Sequence, residues 1–203
     1  MLFATTGMRR SEVAGLRIAD LDLAAARVNP RMPRVLVDHQ VVVSEPKTRA
    51  GRRSLALDPA TVAALNDHLV VQAAERALVG PGYVESGLLF TWPDGRGINP
   101  ARFSAWFEQH VSAAGLPRIT LHGLRHSYAT AALKAGVPVK VISERLGHAT
   151  VAITLDVYSH VIPGMDELAA TTVADLILGD GANRTPNRPI DKALTSKPTS
   201  NER

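Results

Sequence analysis

Glycine and proline residues divide the second half of the chain into short segments. Gly115 and Pro117 close one apolar-patterned stretch, and Gly136, Pro138 and Gly147 separate the stretches that follow. Because proline cannot continue a helix and glycine commonly ends one, the helices between these residues must be short. The pattern predicts helices over about 100–114, 121–135, 138–146, 150–159 and 165–178.

Helical signals also occur in the first half of the chain. Residues 1–6 read as the last turn of a buried helix that Gly7 ends, and a second helix is predicted over about 8–16. Asp58 directly before Pro59 predicts the start of a longer helix, because aspartate caps a helix and proline suits its first position.

Strand signals lie between these helices. Residues 35–37 and 41–43 are rich in β-branched side chains, and residues 54–57 alternate in polarity. Residues 45–53 would then form a polar, cationic hairpin tip. We therefore predict an α+β fold that is mainly α-helical, with a small antiparallel β-sheet or hairpin.

Composition limits the class of protein. The 203 residues are 45% hydrophobic and 21% charged, which allows a sizeable core and excludes a wholly disordered chain. We find no apolar stretch of membrane-spanning length, no secretory leader and no cysteine, so we expect a cytoplasmic protein without a membrane partner. Residues 179–203 are rich in Pro, Asn, Ser, Thr and Lys and are predicted to be a flexible C-terminal tail behind a domain at 1–178.

Positive charge is concentrated in one part of the sequence. Residues 27–53 hold seven Lys or Arg and two Asp or Glu, whereas the whole chain has a net charge of +4. Clustered cations favour a polyanionic partner, because they displace the counterions condensed on a phosphate backbone. A solvated charged hairpin would have the same composition, so charge alone leaves both interpretations open.

A histidine and an arginine share one face of the predicted helix at 121–135. His122 and Arg125 are spaced i, i+3, which sets a guanidinium fork for phosphate oxygens beside an imidazole. A helix with incidental basic groups is the alternative. His122, His126 and His148 could also bind zinc, but Gly123 stands where metalloprotease helices carry glutamate, so no metal site is predicted.

Three further signals are weak when taken singly. Arg9 near a predicted helix start opposes the helix dipole unless an anion binds there, and Glu12 is placed to orient it. Lys47 lies at the predicted hairpin tip, where most lysines are only solvated. Tyr158 shares a predicted helix face with apolar residues, which by itself indicates a core aromatic.

The order and spacing of these residues resemble the tyrosine recombinases of the phage integrase family. The resemblance covers about residues 1–170 and rests on ATTGMRRSE (4–12), PKT (46–48), HGLRHSYAT (122–130), LGH (146–148) and YSH (158–160). It implies the catalytic-domain fold of that family. It also implies a catalytic set of Arg9, Lys47, His122, Arg125, His148 and Tyr158.

The resemblance assigns a role to each member of this set. Tyr158 would attack a DNA phosphodiester, giving a 3′-phosphotyrosyl link and a free 5′-hydroxyl, without metal or nucleotide cofactor. Arg9 and Arg125 would clamp the transition state, because two guanidiniums suit its extra negative charge. Lys47 would protonate the departing 5′-oxygen.

The remaining site residues would support this chemistry. His122 and His148 would complete the set of groups that bind the phosphate. Glu12 would orient a neighbouring side chain rather than react, and His126 would support the catalytic residues without reacting itself. The expected contacts to the DNA backbone are Arg10, Arg49, Arg52 and Arg53.

The start of the chain departs from the family pattern. Members carry an N-terminal helical domain, whereas Met1 falls inside the first helix of the catalytic domain. We therefore expect a truncated first helix, unsupported apolar surface around Leu2 and Phe3, and weak or absent recombination by this chain alone.

The resemblance implies double-stranded DNA as the partner and a homo-oligomer, a tetramer, on that DNA. The implied function is site-specific, integrase-type recombination. Two alternatives stay open: a DNA-binding module that has lost turnover, and a DNA-relaxing enzyme like the type IB topoisomerases.

Overall fold

The computed structural model describes residues 1–44, 53–158 and 165–178. The chain divides into two units, Met1–Ile162 and Pro163–Arg203. The tail predicted at 179–203 lies outside the described residues.

The described residues are mainly α-helical, as predicted. The second unit contributes α8, Met165–Leu178. The helices of the first unit are α1 Leu2–Thr6, α2 Arg10–Ala14, α3 Pro59–Val79, α4 Pro100–Ala113, α5 Leu121–Lys134, α6 Val139–Leu146 and α7 Val151–Tyr158. The bounds agree with the prediction within two residues, and α2 is two residues shorter at each end.

Side-chain caps fix where the longer helices begin. Asp58 accepts a hydrogen bond from the backbone N–H of Thr61, and Asn99 caps α4 in the same way. Thr120 accepts from the backbone N–H of Gly123 at the start of α5. Because each cap satisfies a backbone donor that the first helical turn leaves unpaired, these residues set the helix start. His122 therefore falls in the first turn of α5.

Five short strands form two antiparallel sheets in the described chain. β1 (Leu21–Asp22), β2 (Arg27–Val28) and β5 (Leu55–Ala56) pair in the order β1-β2-β5. β3 (Arg34–Val37) pairs with β4 (Gln40–Val43). The predicted α+β fold with small antiparallel sheets is confirmed.

A hairpin with its tip at residues 45–53 would pair residues 41–43 with residues 54–57, and the described strands do not pair in this way. β4 pairs with β3 across a two-residue turn at Asp38 and His39, which both have positive φ angles of 46° and 64°. This conformation matches the twist of a tight hairpin, but such turns usually carry Asn-Gly, so Asp38-His39 is a weak sequence signal for one. β5 pairs with β2 instead. Residues 45–52 lie outside the described residues.

Two groups of buried apolar residues support the site. The larger one joins α1, α2 and the three-stranded sheet to α3, and consists of Leu2, Met8, Val13, Leu16, Val28, Leu55, Leu57, Leu65 and Leu89. The smaller one joins α5 to α6, and consists of Ala129, Leu133, Ile142 and Leu146.

The expectation of unsupported apolar surface at the start of the chain is wrong. Leu2 is only 7% exposed and belongs to the larger core. Phe3 is partly buried and packs edge-on against Phe103 of α4, with ring centroids 6.2 Å apart. The sequence missed this because α4 lies about a hundred residues further along the chain.

Gly7 lets α1 approach α5 and α6. It has a φ of 64° and ends α1. A Cβ at this position would lie 2.6 Å from Cδ1 of Tyr128 and 2.8 Å from a methyl group of Leu146. Glycine therefore satisfies both the left-handed backbone and the close contact, and this brings Arg9 next to the C-terminal end of α6.

Candidate active site

Three consecutive backbone carbonyls at the end of α6 each accept a hydrogen bond from a different arginine. Arg53 donates to the carbonyl of Arg145, Arg125 to that of Leu146, and Arg9 to that of Gly147. The last carbonyls of a helix have no partner within the helix and carry partial negative charge, which suits guanidinium groups. We call these three carbonyls the α6 carbonyl row.

Arg125 is the most enclosed of the three arginines. It is 5% exposed, and its two terminal nitrogens donate to the carbonyls of Gly7 and Leu146 at 2.6 Å. Both acceptors are neutral main-chain carbonyls, and together they fix the orientation of the guanidinium. Arg125 thereby links the start of the chain to α6.

Arg9 is held in place but remains partly open to solvent. Its backbone N–H donates to Oε2 of Glu12 at 2.8 Å, and its Nη1 donates to Oε1 at 3.1 Å. Its Nη2 donates to the carbonyl of Gly147 at 3.0 Å, and the side chain is 43% exposed. Glu12 therefore lies where it can orient Arg9.

His148 follows the α6 carbonyl row and is half-buried. Its Nδ1 lies 2.8 Å from Oγ1 of Thr154 on α7. Burial, followed by the charges of Arg125 and Arg9, lowers the pKa of His148 to about 4. The imidazole is therefore neutral near pH 7.

His122 and His126 are in direct contact on α5. Their Nε2 atoms lie 2.9 Å apart and their rings meet edge-on. Burial, with the charges of His122 and Arg125, lowers the pKa of His126. Because one Nε2 must donate while the other accepts, this contact selects the tautomer of each ring.

Arg53 lies in a different place from the one predicted. Its side chain is 8% exposed and forms a two-pronged ion pair with Glu12, Nη1 to Oε1 and Nη2 to Oε2, both at 2.9 Å. The expectation of a surface contact to DNA does not fit this buried position. Sequence reasoning missed it because nothing in the sequence distinguishes Arg53 from the other cations of the basic block.

The carboxylate of Glu12 is charged although it is only 6% exposed. Burial alone would raise its pKa. The hydrogen bonds and charge of Arg53, together with those of Arg9, outweigh that effect and lower the pKa of Glu12 below its usual value.

An open cleft of about 800 Å³ adjoins these groups. Arg9, His122 and Arg125 line it, and so does Arg10, whose Nη1 donates to Oγ of Ser104 at 3.0 Å. Arg34 also lines the cleft, although the sequence did not single it out. Its position inside the basic block was the available signal.

Several residues of the predicted site fall outside this description. Lys47, Arg49 and Arg52 lie outside the described residues. Tyr158 is the last residue of α7, and its side chain is outside the described part of the structure.

None of the helices in the described part of the chain is both long and apolar enough to cross a membrane. No three of its His, Asp or Glu side chains are grouped so that they could hold a metal ion.

Comparison with known proteins identifies relatives over most of the chain. The phage integrase family model matches residues 1–164. A XerC-like tyrosine recombinase of Caldanaerobacter subterraneus subsp. tengcongensis is 31% identical over 185 residues, which is 85% of this chain and 47% of that protein. The ICEBs1 integrase of Bacillus subtilis is 27% identical, over 85% of this chain and 46% of that protein. The chain spans about half the length of these curated relatives.

Solved structures of similar proteins share the fold. The Tn1549 transposon integrase in complex with transposon right end DNA matches with a TM-score of 0.72 at 21% identity, over 85% of this chain and 57% of that one. The XerH site-specific recombinase bound to difH substrate matches with a TM-score of 0.58 at 26% identity, over 83% of this chain and 42% of that one. The chain therefore belongs to the phage integrase family, and the tyrosine recombinase catalytic domain of that family makes up most of it.

Proposed function

We propose that this domain cleaves and rejoins DNA strands in site-specific, integrase-type recombination through a 3′-phosphotyrosyl intermediate. The observation that carries the proposal is the α6 carbonyl row, which holds Arg9 and Arg125 side by side next to an 800 Å³ cleft. These two residues are more than a hundred positions apart in the sequence.

The two guanidiniums suit a phosphoryl transition state. Negative charge develops on the nonbridging oxygens, and donors that are already oriented stabilise it without reorganisation. Arg125 is fixed by two carbonyls and Arg9 by Glu12 and Gly147, so neither side chain must be ordered when DNA binds. The partial exposure of Arg9 leaves it accessible to a phosphate.

The proposed reaction balances without an added cofactor. The phenol oxygen of Tyr158 attacks phosphorus, the bond to the 5′-oxygen breaks, and Lys47 supplies the proton that the departing oxygen takes up. The phenol proton passes to a neighbouring base, for which His122 is placed on the cleft. The phosphotyrosyl bond retains the energy for rejoining, so no nucleotide is consumed.

His148 would act as a neutral hydrogen-bonding group in this scheme. Its pKa of about 4 keeps it uncharged at neutral pH. Its Nδ1 is engaged by Thr154, so Nε2 is the ring atom left to approach a phosphate oxygen.

Double-stranded DNA is the proposed partner, because cationic side chains dominate the cleft. Among the described residues that line it, Arg9, Arg10, Arg34 and Arg125 are cationic and Glu108 alone is acidic. We further propose that the protein acts as a tetramer on DNA, since strand exchange joins two duplexes and each cleavage needs its own tyrosine.

Covalent trapping tests the proposed function. The purified chain is mixed with a pool of nicked duplexes that have a randomised centre, so that a cleaved strand end diffuses away and the protein stays attached. We expect a denaturation-resistant protein–DNA adduct with the unaltered chain and with the control Tyr83→Phe, and none with Tyr158→Phe. Binding without any adduct would contradict the proposal and favour a DNA-binding module without turnover.

A further inference from the structure

Glu12 is shared by two arginines in unequal ways. Arg53 faces both carboxylate oxygens with its two terminal nitrogens at 2.9 Å. The guanidinium of Arg9 donates from one terminal nitrogen to one carboxylate oxygen, at the longer distance of 3.1 Å. Its second terminal nitrogen donates to the carbonyl of Gly147 instead. The buried Arg53 therefore forms the bidentate ion pair with Glu12, and the side chain of the more exposed Arg9 forms a single, longer bond.

The charges of Arg9, Arg53 and Glu12 do not cancel. Two guanidiniums and one carboxylate carry a net charge of +1, and Arg53 and Glu12 are both more than nine-tenths buried. If Arg53 were removed, Arg9 would remain as the ion-pair partner of the buried Glu12 carboxylate among the described residues. A bidentate pair with Glu12 would turn Arg9 away from the cleft and offset its charge.

We propose that Arg53 is a positioning residue that neutralises Glu12 and so keeps the guanidinium of Arg9 available to the phosphate in the cleft. The inference rests on the proposed function and adds a residue to it. It replaces the expectation that Arg53 itself contacts DNA.

A second set of contacts fixes Arg53 from behind. Its Nε donates to the carbonyl of Arg145 at 2.6 Å, and Arg145 in turn donates from Nη2 to the carbonyl of Ala56 at 3.2 Å. These two hydrogen bonds join residues 53–56 to the end of α6. Arg53 is therefore anchored well enough to hold Glu12 in one orientation.

The salt dependence of DNA binding separates a positioning role from a phosphate contact. Each phosphate contact contributes about 0.9 to the slope of log K against log salt concentration. The comparison is made in the Arg9→Gln background, where no Arg9 contact is left to lose, with a random-sequence duplex of about 30 base pairs. Adding Arg53→Gln to that background is expected to leave the slope unchanged, whereas adding Arg10→Ala is expected to reduce it by about 0.9. A further reduction of that size on adding Arg53→Gln would overturn the inference.

A double-mutant cycle on the trapping rate tests the coupling itself. Arg53→Gln is expected to slow adduct formation at least about tenfold. Adding Glu12→Gln removes the competing carboxylate, so the double variant is expected to trap at least about fivefold faster than Arg53→Gln alone. Equal rates for these two variants would contradict the inference.

The two proposals fail in different ways. If the unaltered chain forms no adduct, the proposed function fails, whereas normal trapping by Arg53→Gln defeats only the inference. Thermal melting of each variant checks its folding. If Arg53→Gln does not fold, the double variant Arg53→Gln/Glu12→Gln is measured instead, because it buries no unpaired charge. A trapping rate more than about a hundredfold below that of the unaltered chain in this double variant would contradict the inference.

Discussion

The arginines bound to the α6 carbonyl row are held differently from Arg10, which lines the cleft. On the α6 side, Arg53 and Arg125 are nearly completely buried and bonded to main-chain carbonyls. Arg10, by contrast, is exposed and donates to the hydroxyl of Ser104. Buried cations with fixed acceptors are oriented before a ligand arrives, whereas exposed cations attract a polyanion from solution. The arginines of the α6 carbonyl row therefore suit chemistry, and Arg10 suits binding.

The largest effect is expected at Arg125. Arg125→Gln removes one guanidinium and leaves the carbonyls of Gly7 and Leu146 without their donor. We expect covalent trapping to fall by at least about 10³-fold. We also expect the free energy of unfolding to fall by about 1–3 kcal/mol for each carbonyl left unpaired.

Urea denaturation and the trapping assay measure these two losses. Arg102→Gln on the exposed surface of α4 is the matched control, and it should change neither quantity appreciably. A fully stable Arg125→Gln protein would show that the carbonyl contacts do not contribute to folding.

Arg9 should separate catalysis from stability. Because its side chain is 43% exposed and Glu12 keeps its bidentate partner, Arg9→Gln is expected to unfold at nearly the same urea concentration as the unaltered chain. Trapping should fall by about 10²–10³-fold, the usual cost of one oriented donor. A loss in the free energy of unfolding as large as that of Arg125→Gln would contradict this prediction, because Arg9 would then contribute to folding as much as Arg125 does.

Gly7 tests the backbone that brings the α6 side together. Gly7→Ala places a methyl group against Tyr128 and forces alanine to a φ of 64°. The expected loss in the free energy of unfolding is about 1–3 kcal/mol, measured by urea denaturation. Gly115→Ala is a control with a φ of 65° and open space at the Cβ position. If both variants lose equally, backbone strain rather than contact with α5 explains the effect.

The smallest expected effect is a pH dependence of stability. The pKa of His148 is about 4 in the folded protein and 6.5 in the reference state, so the unfolded chain binds the extra proton between these values. The free energy of unfolding should therefore decrease as pH falls from about 6.5 to about 4, with Tm lower by a few degrees. The lowered pKa of Glu12 adds its own loss only below its reference value of 4.5.

His148→Asn isolates the histidine contribution. This variant should flatten the Tm profile between pH 6.5 and 4 and keep the loss at lower pH. An unchanged profile would assign the effect to other groups.

Local sequence signals predicted the helices well. Asp58 with Pro59, and the glycines after α1 and α6, mark boundaries through short-range chemistry that a sequence displays directly. The face shared by His122 and Arg125 was also predictable, because it depends on helix geometry alone.

Other features depend on tertiary contacts and were missed. The sequence-based prediction made both Arg53 and Arg10 contacts to DNA, yet one is buried against Glu12 and the other lies on the cleft. The pairing of β5 with β2 follows from packing rather than from alternation. The α6 carbonyl row has no sequence signature, since every residue has a carbonyl.

That last property has a consequence for variation in this part of the molecule. Replacing the side chains at 145 and 146 leaves the main-chain oxygens in place, so as acceptors they tolerate any residue that continues the helix. What cannot change freely is the direction of the peptide planes, which the left-handed turn at Gly147 (φ 66°, ψ 44°) fixes. The anchoring of the cations is thus encoded by backbone shape rather than by the chemical identity of the residues that provide it.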